Sequence, residues 1–299
     1  MTDSNISGIL CIDKPAGMTS HDVVNRIRRL YGTRKVGHTG TLDPMATGVL
    51  VILIGRAAKL SDYLLADRKT YEAGLLLGCE TDTQDTTGKI VSQSDDIPDL
   101  SVVEAACATF VGRSVQTPPM YSAKKVNGVK LYELARDGIE IERCGCEIEI
   151  YSLGVKKRSD REYNLSVSCS KGTYIRTLCH DIGKALGCGG CMSSLRRTKN
   201  GAFSIDGAVS IEKLEALSES ERAKLLITVE AALSYLQKIA LPPFFARLAH
   251  NGCEIYQSKI GTSLPEGTMV RLYDGDSFFA LGEVRRFGDK TAVKPIKSF

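Results

Sequence analysis

Asp43 has the setting of a residue that could do chemistry. It stands in GHTGTLDPMATGVLVILIG, Gly37 to Gly55, where a loop rich in glycine and threonine meets a β-branched run, directly before Pro44. A carboxylate held there can do acid-base or nucleophilic work, and the glycines let another stretch of backbone come close. A plainer reading is open as well, since an aspartate before a proline also forms turns. Two cysteine pairs, Cys144 with Cys146 and Cys188 with Cys191, are the other residues with ligand-like spacing. Each pair supplies two ligands where a structural zinc site needs four, so the expectation is no metal. The positive charge is clustered: Arg26, Arg28, Arg29, Arg34 and Lys35; Lys124, Lys125 and Lys130; Lys156, Lys157, Arg158 and Arg161; Arg196, Arg197 and Lys199. One such cluster is ordinarily a solvated face, but several beside glycine-rich loops point to phosphate contacts.

The elements that must position these residues follow from periodicity. Gly8 to Asp13 reads as a strand, and Ser20 as the N-cap of a helix to about Tyr31 with Val23, Ile27 and Leu30 as its stripe. VLVILI after Gly48 fits a strand buried on both faces. A helix over Ala57 to Leu65, a strand near Thr70 to Leu77, a polar turn at Thr81 to Gly88 and a helix over Val102 to Phe110 come next. Pro118 to Cys146 loosens into a long basic segment with several tyrosines, the pattern of a protruding functional loop. Two alternating strands fill Glu147 to Cys169, and a helix from about Thr173 ends at Gly187. Helical sequence then ends in the proline pair near Pro243, and the remainder reads as a small β-rich unit. Strands and helices mix without a regular βαβ beat, so the fold class is α+β.

Composition narrows the class. A chain of 299 residues with 43% hydrophobic and 25% charged content suits a large domain with a small one. The N-terminal residues lack a charged-then-apolar export signal and no stretch approaches eighteen apolar residues, which gives the expectation of a cytoplasmic protein with no membrane contact. Ten cysteines are then expected to be reduced thiols. A net charge of +4 does not by itself identify a nucleic-acid binder.

Beyond these features the chain resembles the TruB family of tRNA pseudouridine synthases. IDKPAGMTSHDVV, the GTLDPMATG segment, RKTYEA, TDTQDTTG, PPMYSAKKVNGVKLYELARDG, SKGTYIRTLCHDIG and SLRRTKNGAF occur in family order over roughly the first 205 residues. The resemblance implies isomerisation of uridine 55 in the T-loop of tRNA, on a flipped-out nucleotide, without a cofactor. It implies a mixed, mainly antiparallel catalytic sheet over residues 1–235, with a thumb-like loop at about 118–146, and a PUA-like RNA-binding unit over 236–299. It also implies a monomer that binds the T-arm with no obligate protein partner.

By the same resemblance, Asp43 is the catalytic carboxylate and Arg176 the guanidinium that pairs with it. Tyr71 stacks on the target base, Leu195 walls the uracil pocket, and Tyr174 neighbours Arg176. His38 packs into the T-loop, and Lys14 borders the site. Lys124, Lys125, Lys130, Arg196 and Arg197 contact the RNA backbone. One departure is Cys191, where the family commonly has histidine. Two rivals remain distinguishable: an idle RNA-binding protein would carry a damaged acid site, and a glycosidase would need a second carboxylate beside Asp43.

Overall fold

The computed structural model describes residues 6–64, 68–122, 124–126 and 128–299, with Lys125 described in its backbone alone. β1 (Gly8–Lys14) leads into α1 (Ser20–Leu30), the short β2 (Val36–His38) and β3 (Thr47–Ile54). β4 (Arg68–Leu77) is followed by the hairpin of β5 (Cys79–Thr81) and β6 (Ile90–Gln93), then by α2 (Leu100–Ala108) and β7 (Gly112–Gln116). The basic segment carries the ribbon β8 (Lys125–Val126) and β9 (Val129–Lys130) and the short α3 (Leu131–Arg136). β10 (Cys146–Lys157), β11 (Glu162–Ser170), α4 (Ile175–Ala185), β12 (Gly190–Asn200), β13 (Phe203–Ser204) and β14 (Val209–Ser210) complete the large sheet. After α5 (Ile211–Ala216), α6 (Glu219–Lys224) and α7 (Val229–Ala232), a second unit holds β15 (Gln237–Leu241), α8 (Pro243–His250), β16 (Ile255–Tyr256), β17 (Met269–Asp274), β18 (Ser277–Phe287) and β19 (Lys290–Ser298).

The large sheet runs β14-β1-β3-β12-β4-β11-β10-β7, with β2 on β3 and β13 on β12. Its pairs are antiparallel except β1 with β14 and β3 with β12, as expected of a mixed, mainly antiparallel sheet. β3 shows why VLVILI needs no polar face. Leu50, Ile52 and Ile54 pack on one side with Val23, Ile27 and Leu178 of the helices, while Val49, Val51 and Leu53 pack on the other with Ile9, Cys11 and Leu281. Leu281 belongs to β18, so the back of the catalytic sheet is closed partly by the C-terminal sheet, whose order is β15-β17-β18-β19-β16.

Local readings shift in three places. Thr19, not Ser20, caps α1: its hydroxyl accepts from Asp22 N and the Asp22 carboxylate accepts from Thr19 N, a capping box. The helix read over Ala57 to Leu65 is a 3-10 turn, Gly55–Leu60, entered through a glycine at φ 63°; Leu65 lies outside the described residues. The proline pair does not end helical structure. Pro242 is the N-cap of α8 and Pro243 its first residue, a position where a missing N–H costs nothing.

Candidate active site

The loop between β2 and β3 is fixed from beneath by three buried groups. Ser20 Oγ accepts from Leu42 N at 2.9 Å and donates to Leu42 O at 3.1 Å. Lys14, fully buried, donates to the carbonyls of Met18 at 2.7 Å, Pro15 at 2.8 Å and Pro44 at 3.2 Å. Arg197, also fully buried, donates through Nε to Val49 O at 2.7 Å, Nη2 to Gly40 O at 3.1 Å and Nη1 to Thr41 O at 3.3 Å. Arg197 reaches the loop because β12 crosses β3 at Gly48. There φ is 99°, and a Cβ would lie 2.2 Å from Arg197 O, so only glycine fits. Ala46 N donates to Asp43 O at 3.1 Å, so Asp43 does form a turn, and its carboxylate is free to leave that turn for the cleft.

What it meets there is Arg176, from the first turn of α4. Arg176 Nε lies 2.9 Å from Asp43 Oδ2 and Nη2 lies 3.2 Å from Asp43 Oδ1, a bidentate pair. The guanidinium is itself held by Tyr121 O at 2.7 Å, Thr83 O at 3.2 Å and the Asp85 carboxylate at 3.7 Å. Asp85 is buried and accepts from Thr83 Oγ1, Thr87 N and Thr87 Oγ1. The start of α4 is anchored by Gln116, whose amide accepts from Tyr174 N at 2.8 Å and donates to Tyr174 O at 3.0 Å. Arg176 is buried, whereas about a third of the Asp43 side chain, 34%, faces solvent in the cleft.

Burial is the largest influence on Asp43 and pushes its carboxyl above the ordinary value of 3.8; Arg176 pulls it down, and the negative Asp85 adds to the rise. The bidentate pair requires the ionised form. Turnover should therefore fall as pH drops and Asp43 takes a proton, along an acid limb lying above the ordinary aspartate value. A single-turnover pH profile checks this, and a limb at or below 3.8 would count against Asp43 as the essential base form.

Asp43, Tyr71, Leu195, Tyr174, Arg176 and Lys124 share the walls of one cleft of about 250 Å³. Tyr71 is buried there with its hydroxyl toward Arg197, and burial raises its phenol. Leu195, on β12, sits opposite Ala73 of β4, presenting an aliphatic wall beside the tyrosine. Lys124 Nζ reaches Cys146 Sγ at 2.8 Å at the mouth.

Other expected site residues stand elsewhere. His38, on β2, does not line the cleft; its Nδ1 accepts from Gly40 N at 3.2 Å, which leaves the proton on Nε2, and burial with nearby Arg197 keeps the ring below its usual pKa and so uncharged at neutral pH. Lys14 supports the loop and does not line the cleft; burial lowers its ammonium to about 8. Arg197 is corrected outright as a backbone contact: a guanidinium with no exposed surface, already donating to three carbonyls, cannot reach a phosphate. Arg196 keeps a half-exposed face but spends its fork on Asp13 at 2.8 and 3.2 Å. Lys130 lies on the ribbon beside Tyr132 Oη at 3.1 Å and Glu133 at 3.7 Å, and the Lys125 side chain falls outside the described residues.

The residues that sequence reasoning missed are Asp85, Thr83, Lys69 and Ser122. The first two lie in TDTQDTTG, whose density of side chains able to bond backbone was the available signal; Lys69 lies two residues before Tyr71 on the same strand. Among the described residues no group of three or more His, Cys, Asp or Glu side chains is placed to hold a metal, and all ten cysteines are free thiols.

Comparison with known proteins agrees with this geometry. Residues 28–175 match the N-terminal domain of the TruB family pseudouridylate synthases, and residues 176–242 match the tRNA pseudouridylate synthase B C-terminal domain. A tRNA pseudouridine synthase B of Alkaliphilus oremlandii is 45% identical over 94% of this chain and 94% of its own length. That of Clostridium tetani is 42% identical over 95% and 98%. Among solved structures, a Cbf5-Nop10-Gar1 complex has a chain 26% identical with a TM-score of 0.72, covering 97% of this chain and 84% of that one. An H/ACA RNP bound to a substrate RNA containing 2'-deoxyuridine gives 25% and 0.71, over 98% and 84%. These matches run through the C-terminal sheet, which is PUA-like. The chain belongs to the TruB family of pseudouridylate synthases.

Proposed function

We propose that this chain converts uridine to pseudouridine at position 55 in the T-loop of tRNA, with Asp43 as its catalytic carboxylate. The observation that carries the reading is one partly exposed carboxylate, gripped at both oxygens by a buried guanidinium, at the floor of a cleft walled by Tyr71 and Leu195. The reaction breaks the bond from ribose C1' to uracil N1, forms C1' to C5, and moves a proton from C5 to N1. Nothing is added or removed, so no cofactor is called for. A carboxylate beside the sugar serves as nucleophile at C1' or as base on the ribose, and both roles need it ionised, the form that Arg176 holds.

Asp43 is about two-thirds buried in the cleft, out of reach of a base still stacked in the T-arm. Flipping costs a few kcal/mol, which stacking on Tyr71 and phosphate contacts offset. In this reading Lys124, Lys125 and Lys130, on the 118–146 segment, grip the RNA backbone as a thumb, and neutral His38 positions the T-loop by packing and not by charge. The division at 235/236 is supported by the second sheet beginning at Gln237; the family models divide the chain at 175/176, at the very start of α4. We read the chain as acting on the T-arm as a monomer without an obligate protein partner. Among the described residues no helix is long and apolar enough to cross a membrane, and free thiols together with a tRNA substrate support a cytoplasmic setting.

Glycosidase chemistry finds no support in Asp85. That second carboxylate lies behind Arg176, saturated by its own turn, and does not line the cleft. Incubation with unmodified tRNA, followed by positional mapping of pseudouridine, should give modification at uridine 55 and no free uracil. Free uracil, or modification elsewhere in the tRNA, would overturn the reading.

A further inference from the structure

Two polar groups of the cleft have no hydrogen-bond or ion-pair partner among the described residues. Lys69 is half-buried and lines the cleft, yet among the described residues it makes no hydrogen bond or ion pair. The charged groups it feels most strongly include Arg197 and Lys171, both cationic, and burial with those like charges lowers its ammonium. Ser122 lines the same cleft, is 4% exposed, and among the described residues its Oγ has no hydrogen-bond partner. The other cleft cations are committed, Arg176 to Asp43 and Lys124 to Cys146. A buried hydroxyl and a cation left unpaired in one cavity each cost stability in the free protein, a cost that disappears when an anion enters.

The spacing says which anion. Lys69 and Tyr71 are two apart on β4, so they project to the same face, roughly 6.6 Å apart along the strand. That is about the reach from a base to its own backbone phosphate. A phosphate carries charge for Lys69 and acceptor oxygens for both groups, whereas uracil is neutral and offers no charge to match.

We propose that Lys69 and Ser122 form a phosphate subsite that holds a phosphodiester flanking the flipped nucleotide while its base lies on Tyr71. This rests on the tRNA reading above. Lys69 is then a positioning residue: it anchors the sugar so that C1' meets Asp43, and takes no part in bond making.

The test couples protein and RNA changes. T-arm hairpins are made with an ordinary phosphodiester, or with a neutral methylphosphonate, at the linkage on either side of the target uridine. Each is assayed in single turnover with wild type, Lys69→Met, Lys69→Arg and Ser122→Ala. One methylphosphonate should slow the wild type about tenfold, and Lys69→Met should slow the ordinary hairpin by a similar factor. Combined, the two should cost little more than either alone, and Lys69→Arg should restore most of the rate. Ser122→Ala should also slow turnover while leaving the melting temperature unchanged or higher, the opposite of a structural hydroxyl. Losses that multiply at both linkages would overturn the proposal, as would a Lys69→Met variant that is folded and fully active. If Lys69→Met does not fold, the Lys69→Arg rate and the Ser122→Ala coupling decide in the same way. Failure of the wild type to modify the ordinary hairpin would instead sink the functional reading.

Discussion

Asp43→Asn should abolish pseudouridine formation, by more than about 10⁴-fold, while the protein stays folded and keeps its tRNA affinity within about tenfold, or 1.4 kcal/mol. The amide has nearly the shape of the carboxylate, and the backbone on either side of residue 43 is held at Thr41, Leu42 and Pro44 by Arg197, Ser20 and Lys14, none of which bonds the side chain that changes. Arg176 loses its charged partner but keeps Asp85 and two carbonyls. What disappears is the negative charge and the nucleophilic or basic oxygen. Affinity can rise slightly, because a carboxylate no longer faces RNA phosphates. Pseudouridine mapping and a binding titration on one purified variant give the answer. Turnover at a tenth of the wild-type rate would remove Asp43 from its role; joint loss of activity and binding in a folded variant would make it an organiser of the RNA site.

Arg176→Lys should cost at least about a hundredfold, although it preserves charge. One ammonium cannot span both oxygens of Asp43 while also serving Thr83 O, Tyr121 O and Asp85. Asp85, buried and left with its threonines alone, becomes a poorly compensated charge, and stability should fall by about 3 kcal/mol. The diagnostic readout is the acid limb of the rate profile. With the two-point hydrogen bonding lost and the positive charge less closely held, the carboxyl of Asp43 rises further, so the limb should move to higher pH than in the wild type. A slower enzyme with an unmoved limb would show that Arg176 shapes the cleft without governing the ionisation of Asp43.

The legible part of this molecule was the part written in short-range pattern. The β-branched run of β3, the alternation of β11 and the stripe of α4 each follow from burial on a known period. The identity of the site residues came through family resemblance, because the charge pair joins residues 133 apart and no periodicity encodes it. Charge clustering misled at Arg197. Its neighbour Arg196 is partly exposed, but strand alternation turns Arg197 inward, Gly48 admits its backbone, and the bulge after it returns Lys199 to the surface. Lys69 and Ser122 were invisible for the reverse reason: what marks them is the lack of a partner, which exists only once the cleft is built.

The place of β12 in the sheet bears on how the protein is made. β3 and β4 are neighbours in sequence but not in space; β12, ending at Asn200, lies between them and joins the two halves of the sheet. A chain emerging from the ribosome can form the antiparallel pair of β1 and β3 early, and that of β10 and β11 later, but it cannot unite them until some two-thirds of its length has been synthesised. Until then the long edge of β4 that β12 will cover, with Ala73, Leu75 and Leu77 on it, stays unpaired, a target for chaperones or for another nascent chain. The same strand delivers Arg197 to the Asp43 loop, so completing the sheet and securing the catalytic loop are one event, and no half-made enzyme should bind tRNA in a productive way.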